Sequence, residues 1–170
     1  MSKLPGYLQS DCKIIDLSAD YRLKDPKAYT DWYSVTHTHP ELLKQAVYGL
    51  PELHREAIQP AQLVANPGCY PTSVILALAP LLNTDWVNLD SIISDSKSGV
   101  SGAGRKPSLT SHYAEVNEGV SPYGLADHRH TPEMEQELSG LAGKSVRLTF
   151  SPHLIPMTRG MLSTVYINLN

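Results

Sequence analysis

An α+β fold is what the sequence predicts, and three observations predict it. Short apolar or alternating runs typical of strands recur along the chain at residues 13–18, 62–65, 91–96, 145–150 and 161–169. Between them lie helix-like stretches that open with a proline in the first turn, at Pro40, Pro71 and Pro132. The 170 residues are 41% apolar and 18% charged, a balance that suits a buried core.

Each element follows from its residues in order. Residues 13–18 (KIIDLS) read as a buried strand ending in polar side chains, with Cys12 on its approach and so expected in the core. Residues 20–39 mix Tyr, Asp, Lys and His without period, which predicts a loop with one helical turn; His37 and His39 fall in that loop. Residues 40–45 predict a short helix and residues 47–51 an extended or turn segment. Residues 62–65 form a second strand, stopped by Asn66-Pro67-Gly68. A helix follows over residues 71–79, apolar nearly all round and bent or ended by Pro80. Residues 91–96 are a third strand running into the Gly-rich loop 98–105. Thr131 is the expected N-cap of a helix reaching about residue 141, with Pro132 its first residue. Strands over 145–150 and 161–169 close the chain, the last stopping within its own pattern.

Composition excludes several classes. A net charge of −3 with no Lys/Arg block leaves no footprint for nucleic acid. The apolar run 74–82 is far shorter than the ~20 residues that span a bilayer. The N-terminus has no signal-peptide core, and two distant cysteines make no disulfide framework; a reducing, cytoplasmic setting is expected.

Chemistry concentrates in three places. The first is ANPGCYPT, residues 65–72, where a strand, a Pro-Gly turn and a helix mouth bracket Cys69. Unpaired N–H groups and the positive end of a helix dipole suit a nucleophilic thiolate and an adjacent oxyanion; an inert buried cysteine is the plain alternative. The second is Asp127-His128-Arg129-His130, ahead of the helix at Thr131. Two imidazoles and a guanidinium there suit acid/base work beside an anion, against the plain alternative of a solvated turn. Zinc held by Cys69, His128 and His130 is a third option, set aside because no CxxC or HxxxH accompanies them. The third is the loop 98–105, SGVSGAGR, whose glycines let backbone approach a ligand and offer a nest of N–H donors. It is not a dinucleotide fingerprint. Arg22, Arg105, Arg129 and Arg159, each in a polar or Gly/Pro-punctuated segment, suit carboxylate or phosphate.

Taken in order, ANPGCYPTS, SGVSGAGRK, HRHTPEM and SPHLIPMTRGMLSTVY resemble the N-acetyl-γ-glutamyl-phosphate reductase family of arginine biosynthesis, as do IIDLSADYRLKD and AVYGLPEL. The resemblance covers the chain from about Lys13 onward. It implies a fold and chemistry similar to aspartate-semialdehyde and glyceraldehyde-phosphate dehydrogenases. Residues 1–68 would be a remnant of an NADP-binding Rossmann domain, and residues 69–170 a catalytic and dimerisation domain. By resemblance Cys69 is the nucleophile and His128 the acid/base, ahead of His130. Ser98, Gly99, Gly102, Ala103 and Gly104 approach the nicotinamide end of NADP, and Arg22, Arg105 and Arg129 hold substrate. No metal is implied. The implied reaction is NADPH-dependent reduction of a small-molecule acyl phosphate through a cysteine thioester, by a homo-oligomer. A lysine-pathway or aspartate-semialdehyde relative, or an inactive dimerisation piece, are the competing readings. The Gly-rich turn that holds the NADP pyrophosphate is not in the sequence, so Met1 is expected to begin a piece of a longer chain that alone binds NADPH weakly.

Overall fold

The computed structural model describes Met1 and residues 4–170. It divides into two compact units, Met1–Thr72 and Ser73–Asn170.

The first unit holds α1 (Leu4–Tyr7), β1 (Ile14–Asp16), α2 (Pro26–Tyr33), α3 (Pro40–Leu43), β2 (Val47–Tyr48), α4 (Pro51–Ile58) and β3 (Leu63–Ala65). The three strands make a parallel sheet in the order β1-β3-β2, with Ile14 opposite Leu63 and Val47 opposite Val64. The core packs Tyr21, Leu23, Tyr29, Leu42, Leu43, Ala46, Leu63 and Ala65 together.

Two expectations fail in this unit. Residues 26–33 are a helix, not loop. Asp25 caps it by accepting the Lys27 N–H at 2.9 Å, Pro26 opens it, and Ser34 ends it in the left-handed region at φ 55°. The helix escaped the sequence reading because its mix of Tyr, Asp and Lys shows no clear helical period. Cys12 is exposed rather than core, because β1 is only three residues long and begins beyond it. His37 does lie in a loop, yet it is buried against the rings of Tyr21 and Tyr29.

The boundary between units falls inside α5 (Cys69–Leu82), after its first turn. The second unit continues with β4 (Ile92–Ser98), α6 (Tyr113–Val116), β5 (Ser121–Pro122), α7 (Thr131–Ala142), β6 (Leu148–Leu154) and β7 (Met161–Tyr166). Its sheet runs β5-β6-β4-β7. β4 and β6 are parallel, and the outer pairs are antiparallel. Together with the first unit's helices and parallel strands, this gives the expected α+β class.

Burial alternates along β4 and β6. Ile92, Ser94, Ser96 and Ser98 face inward beside Leu148, Phe150, Pro152 and Leu154. The inward serines are small enough for a helix to pack closely, and they satisfy one another. Ser94 Oγ lies 3.1 Å from Ser96 Oγ, which is 2.7 Å from Ser163 Oγ, itself 2.7 Å from Ser73 Oγ on α5. The opposite face leaves Ile93, Leu162 and Tyr166 exposed.

Three boundaries differ from expectation. α5 begins at Cys69 and runs through Pro80 to Leu82. β6 begins at Leu148 and extends through Pro152 to Leu154. Pro152 is tolerated because β5 pairs only with Leu154 and His153, so no β5 residue stands opposite its missing N–H. The N-cap of α7 is His130, with Thr131 the first helical residue and buried.

Candidate active site

Cys69 is the first residue of the 14-residue α5 and is exposed, while Gly68 before it and Tyr70 after it are buried. The Thr72 N–H and Oγ both donate to Gly68 O, at 3.0 and 2.9 Å, and close the first turn around the cysteine. The sulfur therefore sits at an open helix N-terminus, where backbone dipoles point toward it. In the same unit Arg22 is buried, with Nε donating to Asn66 O at 2.7 Å and Nη2 to Leu17 O at 3.1 Å. Its guanidinium braces the turn that leads to Cys69.

The Gly-rich loop after β4 folds on itself and on residues 155–160. Gly99 N–H donates to Gly160 O at 2.9 Å, Val100 to Met157 O at 2.9 Å and Ser101 to Thr158 O at 3.0 Å. Gly102 donates to Gly99 O and Gly104 to Ser101 O. These donors serve the loop itself, so the nest of free N–H groups expected from the sequence is not formed by Gly99, Gly102 and Gly104. A Cβ on Gly99 would stand 2.9 Å from Arg159 N and Met157 O. Gly99→Ala should therefore destabilise the protein by about 1–3 kcal/mol by forcing two backbones apart. A urea midpoint equal to wild type would show that the loop shifts freely. Ala103 and Gly104 are exposed, Gly104 at φ 84° with open space where a side chain would be. Arg105 and Arg159 are exposed at the two ends of this laced pair of loops.

His128 lies in the turn between β5 and α7. Tyr123 N–H donates to Pro152 O at 3.1 Å, which ties the turn to β6. Gly124 and Ala126, at φ 55° and 65°, reverse the chain tightly. The imidazole then packs against Phe150 of β6 at 5.1 Å between ring centroids, Tyr123 at 5.6 Å and His130 at 4.9 Å. His128 Nδ1 accepts the His130 N–H at 3.1 Å, and His128 O accepts the Thr131 N–H at 2.9 Å. Burial, then the Arg129 guanidinium, push the imidazole from 6.5 down to about 4, against a smaller opposing effect of Asp127. Phe150 and Tyr123 were not singled out from the sequence; only Gly124 hinted at a tight turn there.

That lowered value has a consequence for stability. The folded state disfavours the imidazolium, so the unfolded chain takes up the proton first as pH falls. The contribution is whole above about pH 6.5 and is lost as pH drops toward about 4. Between those values the urea midpoint of His128→Gln should decline less steeply than that of wild type. Parallel declines would remove His128 from the account.

Among the described residues no three His, Cys, Asp or Glu side chains gather as a metal site, and no helix is long and apolar enough to cross a membrane. The structure thus presents an exposed cysteine at a helix mouth in one unit, and in the other a half-buried imidazole and a tightly laced small-residue loop. The chain belongs to the semialdehyde dehydrogenase family: the family's dimerisation domain matches residues 69–170 and its NAD binding domain matches residues 1–61.

Relatives narrow the class. The chain is similar to N-acetyl-gamma-glutamyl-phosphate reductase of Moorella thermoacetica, 60% identical over 157 residues, covering 92% of this chain and 45% of that protein. The same-named protein of Pelotomaculum thermopropionicum is 63% identical over 157 residues, with the same coverage. The chain spans about half the length of the curated relatives it matches. Among solved structures, aspartate semialdehyde dehydrogenase II from Vibrio cholerae shares the fold, at TM-score 0.69 and 15% identity over 98% of this chain and 51% of that one.

Proposed function

We propose that the whole protein carrying this chain is an NADPH-dependent reductase of N-acetyl-γ-glutamyl phosphate in arginine biosynthesis, working in the cytoplasm as a homo-oligomer. The observation that carries this reading is the exposed Cys69 at the head of α5, in a chain at least 60% identical to reductases so named. Cys69 attacks the acyl phosphate carbon, a C–S bond forms, and phosphate departs with the electrons of the broken C–O bond. The helix mouth offers N–H groups to the oxyanion of the tetrahedral adduct. His128 is the acid/base group that moves the proton. Arg22 acts by bracing the turn before Cys69, while the exposed Arg105 and Arg129 suit the substrate's carboxylate and phosphate.

The fit to NADP is divided. Exposed Ala103 and the open Gly104 give a surface bare of side chains, which suits flat contact with a nicotinamide ring. The loop's bonded N–H groups do not suit phosphate capture, and the sequence contains no Gly-x-Gly-x-x-Gly turn. Ser98, Gly99, Gly102, Ala103 and Gly104 would thus border the nicotinamide end only. When bound, the cofactor supplies hydride to the acylated cysteine. The exposed face of the four-stranded sheet, with Ile93, Leu162 and Tyr166, is where a second copy would dock.

Turnover of N-acetyl-γ-glutamyl phosphate and of β-aspartyl phosphate by the whole protein, followed as NADPH oxidation, tests the reading. Preference for the N-acetylated substrate is expected. Preference for aspartyl phosphate, or no oxidation with either, would overturn it.

A further inference from the structure

His37 is a buried imidazole that the chemistry above does not use. It lies against the rings of Tyr21 and Tyr29, at 5.4 and 4.8 Å between centroids. Main chain engages both of its nitrogens. Nδ1 accepts the His39 N–H at 3.2 Å, and a ring nitrogen that accepts carries no proton. Nε2 lies 2.7 Å from Asp20 O, which can only accept, so Nε2 bears the proton and donates it there.

That carbonyl belongs to a loop pinned at three points. The Tyr29 hydroxyl donates to Ala19 O at 3.1 Å and accepts the Leu23 N–H at 3.0 Å, and His37 holds Asp20 O between them. Arg22 stands inside this loop. Its buried side chain reaches the ends of two neighbouring parallel strands: Nη2 donates to Leu17 O just past β1, and Nε to Asn66 O just past β3. The second bond has the larger consequence. Pro67 brings no N–H, so the peptide between Asn66 and Pro67 can be hydrogen-bonded only through that oxygen. Gly68 follows, and Cys69 then opens α5. His37, Arg22, Asn66 and Cys69 all belong to the first unit.

We propose that His37 is a positioning residue for Cys69: by donating to Asp20 O it fixes the loop from which Arg22 holds the Asn66 carbonyl, and so steadies the turn that presents the sulfur at the helix mouth. A long side chain that bridges two carbonyls gives up much rotamer freedom, and it keeps that place only where its own main chain is fixed. His37 and Tyr29 supply that fixing from outside the loop. The bearing of His37 on turnover rests on the reductase reading above; its bearing on the thiol does not.

Alkylation of the folded chain tests this, with Cys12 as the internal reference. Cys12 is exposed in the same unit but lies ahead of β1, outside the pinned loop. Iodoacetamide rates at the two cysteines are read by peptide mapping. His37→Phe keeps a ring against Tyr21 and Tyr29 and removes the donor. It should lower the Cys69 to Cys12 rate ratio about 2–5-fold, the worth of a helix terminus to a charge placed at it. His37→Gln, whose amide N–H reaches the place of Nε2, should restore most of the ratio. Tyr29→Phe, which removes one hydroxyl and unties Ala19 from Leu23, should lower it as well. A ratio unchanged in His37→Phe, or lost equally in His37→Phe and His37→Gln, would overturn the proposal, since ring packing or general loosening would then be the whole role. In the whole protein His37→Phe should lower kcat with KM for the acyl phosphate near wild type. A ratio that falls with Phe and returns with Gln, in a protein that turns over no acyl phosphate, would support the positioning role and overturn the reductase reading alone.

Discussion

Cys69→Ala in the whole protein should reduce acyl-phosphate turnover by at least about 10³-fold, because the covalent route that divides the reaction into two easier steps is lost outright. The physical case rests on position. Cys69 opens a 14-residue helix, and its neighbours Gly68 and Tyr70 are buried, so the exposed sulfur is presented from a fixed turn. Cys12 is exposed too, and exposure alone does not distinguish the two thiols. What distinguishes them is the helix terminus, which Cys12 lacks. Brief iodoacetamide treatment near neutral pH followed by peptide mapping should therefore show Cys69 modified ahead of Cys12, and Cys12→Ala should leave turnover unchanged. Preferential modification of Cys12, or a Cys69→Ala protein that still turns over, would dismiss Cys69 as the nucleophile.

Leu138→Ala should lower the stability of the protein by about 2–5 kcal/mol, the usual range for deleting a fully buried leucine side chain and leaving a cavity. Leu138 is 0% exposed on α7, one turn after Met134, which is also 0% exposed. The two share the helix face that turns inward, and α7 meets β6 there. The same helix begins at His130, whose N–H holds the imidazole of His128. Loosening α7 should therefore also change the NMR signals of His128, whereas a substitution at the exposed Gly140 on the opposite side should not. Urea denaturation measures the first effect. A loss below about 1 kcal/mol would mean that the site collapses around the smaller side chain.

How much was legible in advance depended on how local the signal was. Prolines at positions 40 and 132, the strand run over residues 91–96, and the stop at Asn66-Pro67-Gly68 act through nearest neighbours, and the elements they announce stand within a few residues of where they were expected. α2 was hidden because its residues show no clear helical period. The continuation of β6 through Pro152 could not be read at all, since a proline argues against a strand unless the neighbour's reach is known.

By itself the sequence determined the family, the cysteine at the helix mouth and the histidine ahead of α7, because residue identity and spacing carry that information. Tertiary structure decided the rest. It directed the loop's N–H groups toward residues 157–160 rather than toward a ligand, and it placed Phe150 from β6 against an imidazole more than twenty residues earlier. It also fixed the main-chain angles of the turn that holds His128, through Gly124, Ala126 and the pairing of β5 with β6, and a hydrogen bond between a ring and an amide two residues on exists only when those angles are fixed from outside the turn.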